Sequence, residues 1–186
     1  MYRQTKEIML LEQIRRMSRW GVIQHAMLAI SFILLVVTGF ALRYSDSWWA
    51  VLLYGREGGF PIRNLAHRIS AIFFMVTCVV HVLYLLSKKG RNSMKGVYPS
   101  LRDGKELVQM IKYNIGIVNE RPKFGRFSFI EKFEYWALIW GALIMSMTGT
   151  MLWFDNFLIR YLPKGVLEVM LVIHYYEAWL ALLAIL

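Results

Sequence analysis

Residues 64–86 have the sequence NLAHRISAIFFMVTCVVHVLYLL, and this stretch decides the fold. It is apolar over the length that an α-helix needs to cross a bilayer, which is about 20 residues. Its charged side chain, Arg68, lies just inside one end. A backbone in hydrocarbon must satisfy its own hydrogen bonds, so the stretch is predicted to be a transmembrane helix.

Three further apolar stretches have the same character, near residues 20–42, 133–154 and 166–186. Apolar residues make up 58% of the chain, more than the roughly 45–50% of soluble domains. The chain carries a net charge of +10, and most of its charged residues lie outside these stretches. The sequence therefore predicts an all-α fold, an integral membrane four-helix bundle that forms one domain over residues 1–186.

The basic residues are distributed unequally between the two sides of the predicted membrane. The loops after the first and third stretches hold few of them. The basic residues of the other side are Arg3, Lys6, Arg15, Arg16, Arg19, Lys88, Lys89, Arg91, Lys95, Arg102, Lys105, Lys112, Arg121, Lys123, Arg126 and Lys132. By the positive-inside rule, both termini are predicted to be cytoplasmic. The sequence shows no basic groove interleaved with exposed aromatic residues, so it does not indicate binding to nucleic acid.

All four histidines, His25, His67, His81 and His174, lie inside the apolar stretches. Polar side chains are costly in lipid and usually face a functional interior, and histidine is a common axial ligand of haem iron. By helical rise, two of them lie near each boundary of the membrane, as two bis-histidine haems require. His67 and His81 share one helix face, about 21 Å apart along the axis.

Two glycines repeat the spacing of the histidines. Gly39 follows His25 by fourteen residues, and Gly149 follows Tyr135 by the same number. A glycine allows a flat macrocycle to approach the backbone, so both are candidate haem contacts, although close helix packing is an alternative explanation. The dipeptide Thr-Gly near the ends of the first and third stretches indicates two related hairpins.

Arg68 is a candidate partner for a haem propionate, because arginine pairs with carboxylates in a forked geometry. Interfacial anchoring is the alternative role for this side chain. Cys78 is the one cysteine, so the chain by itself holds no iron–sulfur cluster.

The order and spacing of nine short motifs resemble a known family, the cytochrome b subunits of nickel–iron hydrogenases, formate dehydrogenase and thiosulfate reductase. The resemblance covers nearly the whole chain. The motifs are Arg19-Trp20, Gln24-His25, Thr38-Gly39, His67-Arg68, Glu131-Lys132, Tyr135-Trp136, Thr148-Gly149, Leu152-Trp153 and His174-Tyr175-Tyr176-Glu177-Ala178.

This resemblance implies two haem b groups and a quinone site, for menaquinone or ubiquinone, on the cytoplasmic side. His67 and His174 match the ligands of the periplasmic-side haem, and His25 matches one ligand of the cytoplasmic-side haem. The family's second ligand for that haem falls two residues beyond Leu186. We therefore expect either that the fourth helix is truncated here, which is the favoured interpretation, or that His81 pairs with His25.

The function implied by the resemblance is that of an electron-transfer subunit of a quinone-linked oxidoreductase complex in the bacterial inner membrane. It would pass electrons between the quinone pool and a periplasmic-side partner, an iron–sulfur subunit or a multihaem cytochrome c. One alternative is a stand-alone cytochrome b561 that oxidises a small periplasmic reductant such as superoxide. A haem-free transporter is a further alternative, but intramembrane acids are scarce.

Overall fold

The computed structural model describes residues 18–55 and 59–185, and the side chain of Phe60 is not described. The helices of these residues are α1 Arg19–Arg43, α2 Trp48–Tyr54, α3 Gly59–Leu86, α4 Lys88–Ser93, α5 Leu101–Asn114, α6 Phe129–Trp153, α7 Asp155–Leu158 and α8 Lys164–Ile185. Helices α1, α3, α6 and α8 are long and apolar enough to cross a membrane. The predicted all-α four-helix membrane fold is confirmed. The basic residues before residue 18 lie outside the described part of the chain, and the orientation of the termini stays a prediction.

The helices extend beyond the apolar stretches because capping groups, rather than hydropathy, determine where they begin. Ser128 caps α6 in a reciprocal capping box with Glu131, so this helix begins at Phe129 rather than near residue 133. Helix α3 begins at Gly59, and Pro61 falls in its first turn, where a missing backbone N–H is tolerated. The charged residues at these ends are therefore helical.

The bundle consists of two helical hairpins, α1 with α3 and α6 with α8. Between the hairpins, the ring of Phe40 packs edge-on against Trp179, with centroids 4.8 Å apart. The phenol oxygens of Tyr44 and Tyr175 lie 2.6 Å apart beside them. The short helices α2 and α7 lie at the same end of the bundle, which we call the α2 end.

The opposite end, which we call the α5 end, carries the long basic connection between the hairpins. Helix α5 is held against α6 by an ion pair, with Nζ of Lys132 2.7 Å from Oδ1 of Asp103. The indole N–H of Trp136 donates a hydrogen bond to the carbonyl of Val97. This connection is thus attached directly to the second hairpin.

Candidate functional site

In the first hairpin, His67 of α3 is hydrogen bonded to α1. Its Nδ1 atom lies 2.9 Å from Oγ1 of Thr38, which is buried. The hydroxyl of Thr38 donates to the carbonyl of Leu34 at 2.7 Å. Because a hydroxyl has a single proton, it must accept a hydrogen bond from Nδ1–H of His67. Nε2 of His67 therefore keeps its lone pair, as metal ligation by this atom requires.

The second hairpin repeats this arrangement. Nδ1 of His174 on α8 lies 2.8 Å from Oγ1 of Thr148 on α6. The Thr148 hydroxyl donates to the carbonyl of Ile144 at 2.7 Å, so it accepts from Nδ1–H of His174. Within the described residues, neither His67 nor His174 has a hydrogen-bond partner at Nε2. Both rings therefore present a basic nitrogen.

Each of the two candidate glycines lies against one of these imidazoles. A Cβ atom at Gly39 would lie 3.1 Å from Cε1 of His67, and one at Gly149 would lie 3.1 Å from Cε1 of His174. Glycine at these positions thus leaves space for the histidine ring of the neighbouring helix. Contact of these glycines with haem stays a prediction.

The imidazoles of His67 and His174 lie next to each other across the boundary between the hairpins. Their centroids are 6.5 Å apart, and their planes are nearly perpendicular at 83°. Metal–imidazole bonds of about 2.0–2.1 Å place the centres of two opposed rings roughly 6 Å apart. The spacing and the tautomers fit a haem iron between the two rings.

His81 lies towards the α5 end and takes part in a different network. Its Nδ1 is 3.0 Å from Oε1 of the buried Gln24, and its Nε2 is 3.2 Å from the hydroxyl of Tyr135. The amide oxygen only accepts, so Nδ1 carries the proton and Nε2 accepts from Tyr135. Three of the four long helices meet in this chain of hydrogen bonds.

His25, the neighbour of Gln24 in sequence, is exposed on the surface of α1. In the part of the chain that the structure describes, no hydrogen bond or ring contact joins His25 to His81. The structure brings together the predicted ligands His67 and His174, but not His25 and His81. The roles of His25 and His81 as haem ligands stay predictions.

At the α2 end, Arg68 lies over the ring of Trp153, with Cζ 5.0 Å from the centroid. This cation–π contact joins the two hairpins. Arg43 lies over the ring of Tyr175 at 5.3 Å. The hydrogen bond to Tyr175 raises the pKa of the Tyr44 phenol above its ordinary value.

Sequence reasoning did not predict the threonine–histidine hydrogen bonds or the burial of Arg63, which is only 4% exposed. The repeated Thr-Gly dipeptide could have identified the two threonines as site residues, because it occupies the same place in both hairpins. The signal for Arg63 was its position four residues before His67, which places both on one face of a helix.

Residues 16–186 match the family described as prokaryotic cytochrome b561. No curated protein matches the chain. The family match spans more than half of the sequence and confirms the resemblance to membrane cytochromes b.

Proposed function

We propose, from the premise that this chain belongs to the prokaryotic cytochrome b561 family, that it is a di-haem subunit that passes electrons between a periplasmic-side redox partner and the quinone pool. Family membership makes the chain a membrane haem b electron-transfer protein, with four apolar helices as its membrane part. The observation that carries the proposal is the pair of opposed histidines, His67 and His174, each oriented by a threonine of its own hairpin.

The haem, when bound, supplies a carrier of single electrons. The protein supplies the ligands and their orientation. Thr38 and Thr148 each accept a hydrogen bond from Nδ1–H of a histidine and so leave its Nε2 atom available as a ligand. Because each hydroxyl is also bonded to a carbonyl of its own helix, it has no freedom to reorient. This preorganisation favours one tautomer and one ring position before haem binds.

A second haem, with His25 as one ligand, is proposed at the α5 end. The hydrogen-bonded chain Gln24–His81–Tyr135 lies at that end. In this chain, Nδ1–H of His81 donates to Gln24, and the hydroxyl of Tyr135 donates to Nε2 of His81. Reduction of a quinone to a quinol takes up two protons as well as two electrons. We therefore assign His81 and Tyr135 to proton exchange with a menaquinone or ubiquinone.

The partner is proposed to be an iron–sulfur subunit or a periplasmic multihaem cytochrome c, bound at the α2 end. If both termini are cytoplasmic, as the positive-inside rule predicts, the α2 end faces the periplasm of a bacterial inner membrane. His67 lies nearer the α2 end of α3 than His81 does, so the first haem would be the one that exchanges electrons with this partner. The protein is thus expected to act as the membrane subunit of a larger quinone-linked complex.

The test is a reduced-minus-oxidised absorbance spectrum of the purified chain with a pyridine haemochrome assay. We expect haem b in the wild type and one haem fewer per chain in each of the variants His67→Ala and His174→Ala. Reduction of the haems by a menaquinol or ubiquinol analogue tests the quinone role. A colourless preparation, or an unchanged haem content in both variants, would refute the proposal. Co-purification with a larger redox complex separates it from a stand-alone cytochrome b561.

A further inference from the structure

The side chain of Arg63 is buried at the α2 end and has no hydrogen-bond or ion-pair partner among the described residues. It lies in the first turns of α3, and only 4% of the residue is exposed. Its Nε and Nη1 atoms are both inaccessible, and neither has a hydrogen-bond partner within the described residues. A guanidinium cannot lose its charge under physiological conditions, so an unpaired buried arginine is strongly unfavourable. The burial therefore points to an anion.

The position of Arg63 indicates which anion it binds. It precedes His67 by four residues, so the two side chains lie on the same face of α3, about 6 Å apart along the axis. His67 faces His174 on that side. Arg63 lies beyond the His67 ring, towards the end of the helix. A carboxylate at the edge of a group held by His67 would be within reach of this guanidinium.

Arg68, the arginine that the sequence favoured for this role, has a different environment. It is one residue after His67 and therefore about 100° away around the helix. Its guanidinium lies over the ring of Trp153. Arg68 already has a favourable contact within the protein, whereas Arg63 has none in the described residues.

We propose that Arg63 binds a carboxylate of the haem held by His67 and His174. The inference rests on the proposed function, because it requires haem at this pair of histidines. A guanidinium presents N–H groups in a planar fork that matches both oxygens of a carboxylate. The interaction neutralises the buried charge of Arg63 and fixes the orientation of the haem in its plane.

The experiment measures binding of two probes, haem b and haem dimethyl ester, to apo-protein in detergent. The ester retains the iron and the ring but lacks the two negative charges. The variants are Arg63→Gln and Arg63→Lys, with Arg68→Gln as the matched control at the same end of the same helix. Glu57→Gln is included because Glu57 is the acid closest to Arg63 in sequence and lies outside the described residues.

We expect the wild type and Arg68→Gln to bind haem more tightly than its ester by about tenfold or more, since a hydrogen bond to a charged group is strong. Arg63→Gln should abolish most of this ratio by weakening haem binding, with little effect on the ester. Arg63→Lys keeps the charge without the fork and should give an intermediate ratio. The midpoint potential of the haem should also fall in Arg63→Gln, because a nearby positive charge is lost.

Several results would overturn the assignment. One is a wild type that binds haem and its ester with nearly equal affinity. This measurement uses no variant, so it does not depend on whether a variant folds. Another is an unchanged ratio in Arg63→Gln or, if that variant does not fold, in Arg63→Lys. A loss of the ratio in Glu57→Gln equal to that in Arg63→Gln would assign the arginine to a protein carboxylate instead. If the wild type binds neither probe, it is the proposed function that fails.

Discussion

Thr148 Oγ1 lies 2.8 Å from Nδ1 of His174, and the same hydroxyl donates its proton to the carbonyl of Ile144. The threonine is therefore an acceptor for the imidazole and not a donor to it. Thr38 has the same relationship to His67 in the other hairpin. Two hydroxyls thus select the tautomer of two opposed histidines, and this selection occurs in the protein alone.

Replacement of Thr148 by valine should weaken haem binding. Valine has nearly the same shape but no acceptor, so Nδ1–H of His174 loses its partner. Removing the outer partner of a metal-ligating histidine typically costs about 10–100-fold in affinity. Titration of apo-protein with haem measures the effect, and Thr148→Ser should restore most of the affinity.

Thr150→Val is the matched control for that prediction. Thr150 is exposed on the same helix, and its hydroxyl bonds only to the carbonyl of Ser146. Its replacement should leave haem affinity unchanged. Equal losses of haem affinity in Thr148→Val and Thr150→Val would show that the loss comes from a change in the helix rather than from the missing hydrogen bond to His174.

Replacement of Gly39 by alanine should displace the imidazole of His67. The added methyl group would lie 3.1 Å from Cε1, and the ring cannot easily yield because the adjacent Nδ1 atom is hydrogen bonded to Thr38. We expect lower haem affinity and an altered absorbance spectrum. Gly149→Ala should behave in the same way towards His174.

Gly104→Ala provides the comparison, because a Cβ atom at this helical position meets nothing within 4 Å. Alanine is favoured over glycine inside a helix by roughly 1 kcal/mol, so this variant should be neutral or stabilised. Wild-type haem affinity and spectrum in Gly39→Ala would contradict the steric argument.

Hydropathy predicted the four membrane helices, because the cost of exposed backbone in lipid determines them. It did not predict their ends, which depend on local groups such as the capping box at Ser128. Arg63 consequently falls outside the predicted helix, since the apolar stretch begins near residue 64 whereas α3 begins at Gly59. Only the longer helix places Arg63 one turn from His67.

The candidate site was predictable to a similar extent. The resemblance paired His67 with His174, and the structure brings their ring centroids to within 6.5 Å of each other. The hydroxyl partners Thr38 and Thr148 depend on side-chain rotamers and on how closely two helices pack. A single sequence does not determine either quantity. The network of His81 with Gln24 and Tyr135 needs three helices and is equally inaccessible to sequence spacing.

His81→Ala should retain the full haem content, whereas His25→Ala should lose one haem per chain. The physical reason is that both ring nitrogens of His81 are already hydrogen bonded within the protein, to Gln24 and Tyr135. The pyridine haemochrome assay distinguishes the two variants. Loss of one haem in His81→Ala would instead identify His81 as an iron ligand and would remove it from the proton-exchange network.

Loss of the ion pair between Asp103 and Lys132 should destabilise the α5 end at neutral pH but not in strong acid. The hydrogen bond from Lys132 holds the pKa of Asp103 below its ordinary value, with help from the backbone N–H of Ser100. A carboxyl group with a lowered folded-state pKa stabilises the fold above its unfolded pKa of about 4, and this contribution disappears as the pH falls through the folded value. Asp103→Asn should therefore lower the thermal midpoint at pH 7, by an amount equivalent to about 1 kcal/mol, and should approach the wild type near pH 2.

Glu168→Gln removes the exposed pair with Lys164, whose atoms are 3.5 Å apart, and should change nothing at either pH. An equal deficit of Asp103→Asn at both pH values would mean that the carboxylate acts through packing rather than through its charge.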